Sequence, residues 1–399
     1  MAMRPTLEFL KTESAAGLAP VAAAAAALAL ANSPWADSYF AFISQKVTIQ
    51  AGAFLHVHTL ADWVKEGLMA VFFLIVGLEI KFEVLRGELS SPRRLALPLI
   101  AAAGGMITPA LIYLAVNMGP GGEPQGWPLA TATDIAFAMA ALSIVATRLP
   151  PSLRLFLLTL AIADDLGAVG LIGVLYTVKI HAMAIAGAGL SLAALAVISR
   201  WKRAPVLLYA MGFVAVWAFT LDSGVDTSVA GVACALAVPI SARRPGQESL
   251  VTAMMSNLHG WVAFVILPLF TFTAAGFSLA GMSPATLFSP LPLGVAAGLI
   301  VGKPLGVLGF SFLGVVTRLC RRPAGASWLE MLGVAMLCGI GFTMSLYLGA
   351  LAFNGREPLL HSQVRMAVIT GSLVSALAAS AVLAWAGARR RAMGGEAAD

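Results

Sequence analysis

The sequence predicts an all-α polytopic membrane protein of about twelve transmembrane helices, and three observations lead there. Of its 399 residues 59% are hydrophobic and only 11% charged, too little polar surface to cover a soluble domain of that length. Apolar stretches long enough to cross a hydrocarbon layer ~30 Å thick recur along the whole chain. Lysine and arginine are sorted between alternate connecting loops, as cytoplasmic and extracytoplasmic loops require.

The apolar stretches run at 15–32, 62–82, 95–116, 129–147, 153–175, 180–199, 204–220, 223–240, 255–275, 291–312, 328–352 and 362–387. The division between the seventh and eighth is the least marked. Residues 15–31 resemble the core of a signal peptide, but ~17 apolar residues exceed the usual 7–15 and further spans follow, so an uncleaved first helix is expected.

The basic residues test the count. Arg4, Lys11, Lys81, Arg86, Arg93, Arg94, Arg148, Arg154, Arg200, Lys202, Arg203, Arg243, Arg244, Arg318, Arg321, Arg322, Arg389, Arg390 and Arg391 fall on one side; Lys46, Lys179 and Arg356 fall on the other. Lys65, Lys303 and Arg365 lie at or inside spans, which completes the 25 basic residues. An even number of spans with both termini cytoplasmic follows. The net charge of +6 is therefore topology, and no nucleic-acid partner is needed to explain it. The scattered cysteines Cys234, Cys320 and Cys338 form no C-x-x-C and suggest neither a disulfide framework nor a zinc site.

No segment is long enough for a separate soluble domain, so residues 1–399 are expected to form a single transmembrane transporter domain. The longest polar or broken stretches are 33–61, 117–128, 241–254 and 276–290. In the first, an extracytoplasmic loop, Val47 to Phe54 alternates around Gly52, which fits a small β-hairpin as well as an irregular loop. Two spans are interrupted. One break is Ala130-Thr131-Ala132-Thr133-Asp134-Ile135 after Pro128; the other is Cys338-Gly339-Ile340-Gly341-Phe342-Thr343-Met344-Ser345. They are the middle members of spans 3–5 (95–175) and spans 10–12 (291–387). Paired interruptions in corresponding spans point to a transport site made by broken helices, although glycines also serve simple close packing.

The chemistry lies in four charged residues inside these spans: Asp134, Asp164, Asp165 and Lys303. A charge at the bilayer centre costs roughly 2.5–3.5 kcal/mol, and the four together on the order of 10–14 kcal/mol without partners. That rivals the net stability of a typical fold, so they are expected to converge. At about 100° per residue Asp164 and Asp165 do not share a helix face. Lys303 is the natural counter-charge for one, leaving the other to hold a desolvated cation or a proton. Thr133 offers hydroxyl and carbonyl oxygens to an ion such as Na⁺. Asp134 and Lys303 suit the partial charges at half-helix N- and C-termini.

Glu79 and Glu83, four apart on one face at the end of the second span, form either a cation funnel with a pH response or a solvated helix end. Lys65 and Glu66 are expected to mark the membrane interface, and Asp222 and Asp226 to lie near water. The H-x-H pair His56 and His58 lacks an evident third metal ligand. His259 is expected in the core.

In order and spacing, five segments resemble the NhaA family of Na⁺/H⁺ antiporters, a standard example of inverted repeats with broken helices. They are Leu68-Met69-Ala70-Val71-Phe72-Phe73-Leu74 through Glu79, Ala132-Thr133-Asp134-Ile135-Ala136-Phe137-Ala138, Leu160-Ala161-Ile162-Ala163-Asp164-Asp165-Leu166-Gly167-Ala168, Gly302-Lys303-Pro304-Leu305-Gly306 and Cys338 through Ser345. The resemblance implies inverted-topology repeats whose two broken helices cross near the midplane, at Thr133 and Asp134 in one and at Gly339, Gly341 and Thr343 in the other. It implies a secondary transporter, not an enzyme, of the bacterial cytoplasmic (inner) membrane, serving sodium and pH homeostasis. Exchange would be electrogenic, with one Na⁺ or Li⁺ exported for two H⁺ taken up and Na⁺ held at Asp164, Asp165 and Thr133. Asp165 would be the principal cation and proton carboxylate, and Asp164 its partner paired with Lys303. No cofactor is implied; membrane lipid and a second copy of the chain are the expected partners.

This sequence departs from the family pattern in its regulatory residues. Asp226 stands in place of a histidine, Met255 and Ser256 in place of a Glu-His pair, and Phe82 in place of a basic residue. A shallower or shifted pH activation is the expectation. Two competing functions fit less well. A Na⁺-coupled solute symporter needs a roomier polar cavity. An intramembrane aspartyl protease needs facing carboxylates, typically on two helices, with one protonated.

Overall fold

A backbone in hydrocarbon has no water to bond, so each apolar stretch satisfies its amides internally by coiling into helix. The computed structural model describes residues 4–51, 54–87, 92–145, 149–177, 180–201, 204–240, 248–280, 282 and 284–395. Gly52 and the basic residues Arg148, Lys179, Lys202, Arg203, Arg243 and Arg244 lie outside these residues.

In chain order, α1 (Arg4–Ala31) and α2 (Ala36–Ile43) precede a hairpin of β1 (Lys46–Ala51) and β2 (Phe54–Thr59). Then come α3 (Leu60–Trp63), a π-helical turn at Val64–Leu68, α4 (Met69–Arg86) and α5 (Pro92–Asn117). A 3₁₀ segment, Pro124–Ala130, leads to α6 (Ile135–Val145), α7 (Pro151–Leu175), α8 (Ala182–Ile198), α9 (Val206–Ser223) and α10 (Thr227–Ala237). The chain continues through α11 (Leu250–Trp261), a π turn at Val262–Ile266, α12 (Leu267–Ala275), α13 (Pro290–Ala297), a π turn at Gly298–Gly302 and α14 (Lys303–Val316). It ends in α15 (Trp328–Leu337), α16 (Phe342–Ala352) and α17 (Pro358–Gly395).

Among the described residues, seven helical stretches are long and apolar enough to cross a membrane; α15 and α16, bent by 44° at their junction, make an eighth. Ala15–Ala31, Ala182–Ile198 and Thr227–Ala237 are shorter apolar helices. With α4 they coincide with the twelve stretches expected, so the chain is an all-helical polytopic membrane protein apart from its hairpin. That hairpin reaches beyond the expected Val47–Phe54: the strands pair antiparallel from Lys46↔Thr59 to Ala51↔Phe54.

The chain forms two compact units. The first comprises Met1–Ala22, Ser91–Ala168 and Ala274–Asp399. In it α5 packs on α14 where Gly104 and Gly306 bring the two backbones together; a Cβ on Gly306 would strike the Gly104 carbonyl. Leu129, Leu153, Leu157, Leu299 and Val307 are fully buried.

The second unit comprises Ala23–Ser90 and Val169–Thr273. Here α4 packs on α10 through Gly77 and Gly231, each against the other helix's backbone. Leu74, Leu78, Leu195, Tyr209, Val216 and Cys234 form the adjoining core. The Lys81 ammonium donates to the carbonyls of Leu236 (2.6 Å) and Val238, where α10 ends. A cation at a helix C-terminus is favoured by the local dipole.

Candidate functional site

Two unwound stretches in the first unit, 131–134 and 338–341, expose backbone groups that a continuous helix would use up. They satisfy each other. The amide of Asp134 donates to the Ile340 carbonyl at 2.6 Å, and the Thr133 hydroxyl lies 2.9 Å from the Cys338 carbonyl. The Ser345 hydroxyl donates to the Leu129 carbonyl at 2.6 Å. Thr133, Asp134, Thr343 and Ser345 thus each serve the opposite break, while Thr131 bonds back to the Pro128 carbonyl of its own segment.

Asp134 serves two helix starts at once. Its Oδ1 accepts from the Phe137 amide (3.1 Å), capping α6. Its Oδ2 accepts from the amide (3.0 Å) and hydroxyl (2.5 Å) of Thr343 in the first turn of α16. One carboxylate therefore meets the partial positive charge of two N-termini. The sequence suggested one half-helix start for Asp134; in the structure its carboxylate accepts from two.

Asp164, on α7, is 1% exposed and Lys303 is fully buried. The Lys303 ammonium donates to Asp164 Oδ2 at 2.5 Å, and the Thr133 hydroxyl stands 2.7 Å from the same oxygen. Oδ1 of Asp164 is buried and receives no hydrogen bond from the described residues. Asp165 follows directly and is 2% exposed. Asp134, Asp164 and Asp165 are all buried in the unit that holds the buried Lys303 ammonium. Gly105 lies beside the lysine tip: a Cβ there would stand at contact distance, 3.7 Å, from Nζ and press on Val307 Cγ2 at 2.9 Å. The π turn at Gly298–Gly302 delivers Lys303 to the start of α14, an irregularity of the kind found at functional sites.

Gly339 and Gly341 lie in the second break. A Cβ on Gly341 would run into Ser345 Oγ and stand 3.1 Å from the Ala132 carbonyl; one on Gly339 would strike the Leu299 carbonyl. At Gly339 the obstacle is backbone, and at Gly341 it is the Ser345 side chain. Ser372 is a site residue that sequence reasoning missed: its Oγ accepts from the Phe342 amide at 3.1 Å, satisfying the first N–H of α16. A serine amid the small residues of a long apolar helix gave no distinctive signal.

Glu79 and Glu83 stand one turn apart on α4 in the second unit, both half-buried. Three expectations there are corrected. Asp226 is buried, because it caps α10 by accepting from the Ser228 amide at 2.9 Å. His259 is exposed on α11. Lys65 and Glu66 do more than mark an interface: they pair at 3.4 Å, and Glu66 takes the Thr227 hydroxyl at 3.0 Å.

The chain is similar to known proteins over nearly its whole length. The family model described as "Na+/H+ antiporter 1" matches residues 7–383. "Na(+)/H(+) antiporter NhaA 1" of Syntrophotalea carbinolica is 44% identical, with 100% of each chain covered. "Na(+)/H(+) antiporter NhaA" of Bordetella parapertussis is 46% identical over 94% of this chain and 95% of its own. Its counterpart in Rhizorhabdus wittichii is 47% identical over 95% and 97%.

Proposed function

Because this chain belongs to the Na⁺/H⁺ antiporter 1 family, a family of membrane transporters, we propose that Asp164 and Asp165 are its exchange carboxylates, each holding either a proton or a share of one Na⁺ or Li⁺. The observation that carries the reading is Asp164 itself. Lys303 and Thr133 both contact Oδ2, which leaves Oδ1 buried with no donor among the described residues. A buried carboxylate oxygen without a donor is costly unless a proton or cation supplies one. The unwound carbonyls of the breaks and the Thr133 hydroxyl are hard oxygens at hand for a dehydrated alkali ion.

The bookkeeping follows from charge. Two carboxylates that bind two protons, or together one monovalent cation, exchange two positive charges for one. Export of one Na⁺ for two H⁺ taken up moves net positive charge inward, so the cycle is electrogenic and the membrane potential adds to the proton gradient in driving it. Thr133 has one hydroxyl hydrogen and two acceptors, Asp164 and the Cys338 carbonyl. With a cation on Asp164 it turns to Cys338, which ties site occupancy to the break in α15 and α16.

The remaining assignments rest on sequence and resemblance together. Spans 3–5 and 10–12 form the inverted repeats, with their broken members crossing near the midplane. The protein sits in the bacterial cytoplasmic membrane with both termini inside, as the bias of lysine and arginine indicates, and acts as a homodimer. Glu79 and Glu83 contribute to cation attraction and pH response at the cytoplasmic side.

The test is recovery of a preformed pH gradient in proteoliposomes on adding Na⁺, Li⁺ or K⁺, beside Asp165→Asn. Na⁺ and Li⁺ should dissipate the gradient and K⁺ should not, and the variant should be silent at every pH. Equal responses of the variant and the parent chain would remove Asp165 from the mechanism.

A further inference from the structure

The second unit contains a line of titratable groups that the exchange reaction does not use. On β2, Nε2 of His58 lies 3.3 Å from Nδ1 of His56, with the two ring planes within 10° of parallel and their centroids 5.5 Å apart. On its other side, Nε2 of His56 meets Oδ1 of Asp222, near the end of α9, at 2.5 Å. Nδ1 of His181, just before α8, meets the carbonyl of Asp222 at 2.8 Å. The hairpin is thereby tied to the adjoining ends of two helices.

These contacts run in a line and do not converge. His56 spends one nitrogen on each neighbour, so a metal ion between His56 and Asp222 would have no access to His58. Among the described residues no group of three or more His, Cys, Asp or Glu is placed to hold a metal. A line of alternating donors and acceptors suits protons instead.

We propose that His58, His56 and Asp222 form a second proton-binding site, a relay that takes up one proton and uses it to fasten the β-hairpin to α9. The argument is an accounting of hydrogens. The contact with the Asp222 carboxylate requires a hydrogen on Nε2 of His56. In neutral His56 the other nitrogen then accepts, so Nε2 of His58 donates to it. A proton arriving at Nδ1 of His58 lets the shared hydrogen move to His56, which becomes an imidazolium against Asp222. The neutral N–H···carboxylate contact is thereby replaced by an ion pair, the stronger of the two. A second proton would leave N–H groups facing each other across 3.3 Å, and the contact would open.

The neighbouring charges favour a one-proton capacity. Burial lowers the pKa of His58; Asp62 opposes that shift, while His56 and Lys65 add to it. Lys65 is balanced by Asp62 at 3.5 Å and Glu66 at 3.4 Å, with Asp226 also acting on it. From β1, Lys46 stands opposite Thr59. The sign follows: the second proton must overcome desolvation and a neighbouring imidazolium, so it binds only well below the first. The hairpin is held fastest once the first proton has bound and before the second does.

The test does not depend on the antiport reading. A spin label is placed on the hairpin through Leu55→Cys, where the leucine is exposed and the three native cysteines are buried. Its mobility is followed by electron paramagnetic resonance from about pH 5 to 9. The label should pass through a mobility minimum. Asp222→Asn should shift the alkaline rise to lower pH, and His58→Gln should abolish the acid-side rise while keeping the alkaline one. Mobility independent of pH in the parent chain, an Asp222→Asn profile superimposed on it, or an acid-side rise surviving in His58→Gln would each overturn the relay.

Discussion

Lys303 and Asp164 form a buried ion pair at 2.5 Å, neither side chain exposed. Removing one partner of such a pair leaves a charge without compensation, at a cost of about 3–5 kcal/mol. Lys303→Ala is therefore expected to lower the melting temperature in detergent markedly, and Lys303→Arg to restore part of the loss. A Lys303→Ala protein that melts like the parent but exchanges ions without moving charge would instead make the lysine a proton carrier. Thr133→Val keeps shape and deletes a hydroxyl between two acceptors. The expected effect is a stability loss of about 1–3 kcal/mol together with a raised apparent KM for Na⁺, measured by Na⁺-dependent fluorescence dequenching. The convergence of Asp164 with Lys303 was legible because charges in lipid need partners. The second role of Asp134, on α16, was not, because nothing in a linear sequence says which helix end will cross its own.

At the scale of elements, the two breaks are one structure: each supplies the bonds that the other lacks. Gly341→Ala would force a methyl group against Ser345 Oγ and the Ala132 carbonyl. It should abolish exchange while the protein still reaches the membrane, as judged by expression level and monodispersity; activity near that of the parent would show that the breaks tolerate separation. The capping box at the start of α15 offers a contrast. Ser327 and Glu330 exchange bonds of 3.2 and 2.7 Å, and Ser327→Ala should cost about 1 kcal/mol of stability without changing ion affinity. The twelve apolar stretches, both breaks and the hairpin could be read from hydropathy, glycine and alternation. The three π turns could not, since they change hydrogen-bond register without changing hydrophobic pattern. Nor could the burial of Asp226, which depends on a cap visible only once α10 has a start.

For the whole molecule, topology and energetics are set by charge. In the topology proposed from the sorting of basic residues, nineteen on one side and three on the other, both termini lie in the cytoplasm. A green fluorescent protein fused after Asp399 should fluoresce, and an alkaline phosphatase fused there should be inactive; the reverse pattern would contradict the topology. The central claim is that two carboxylates exchange two protons for one cation, which makes the transporter respond to voltage alone. The most direct measurement is ²²Na⁺ movement in proteoliposomes with equal pH and equal Na⁺ on both sides, under a potassium diffusion potential set with valinomycin. An inside-negative potential should drive net Na⁺ efflux, reversing sign with the potential and vanishing in Asp165→Asn. Na⁺ flux indifferent to voltage, in protein that still exchanges Na⁺ for H⁺, would mean one proton per cation and would contradict the two-carboxylate account.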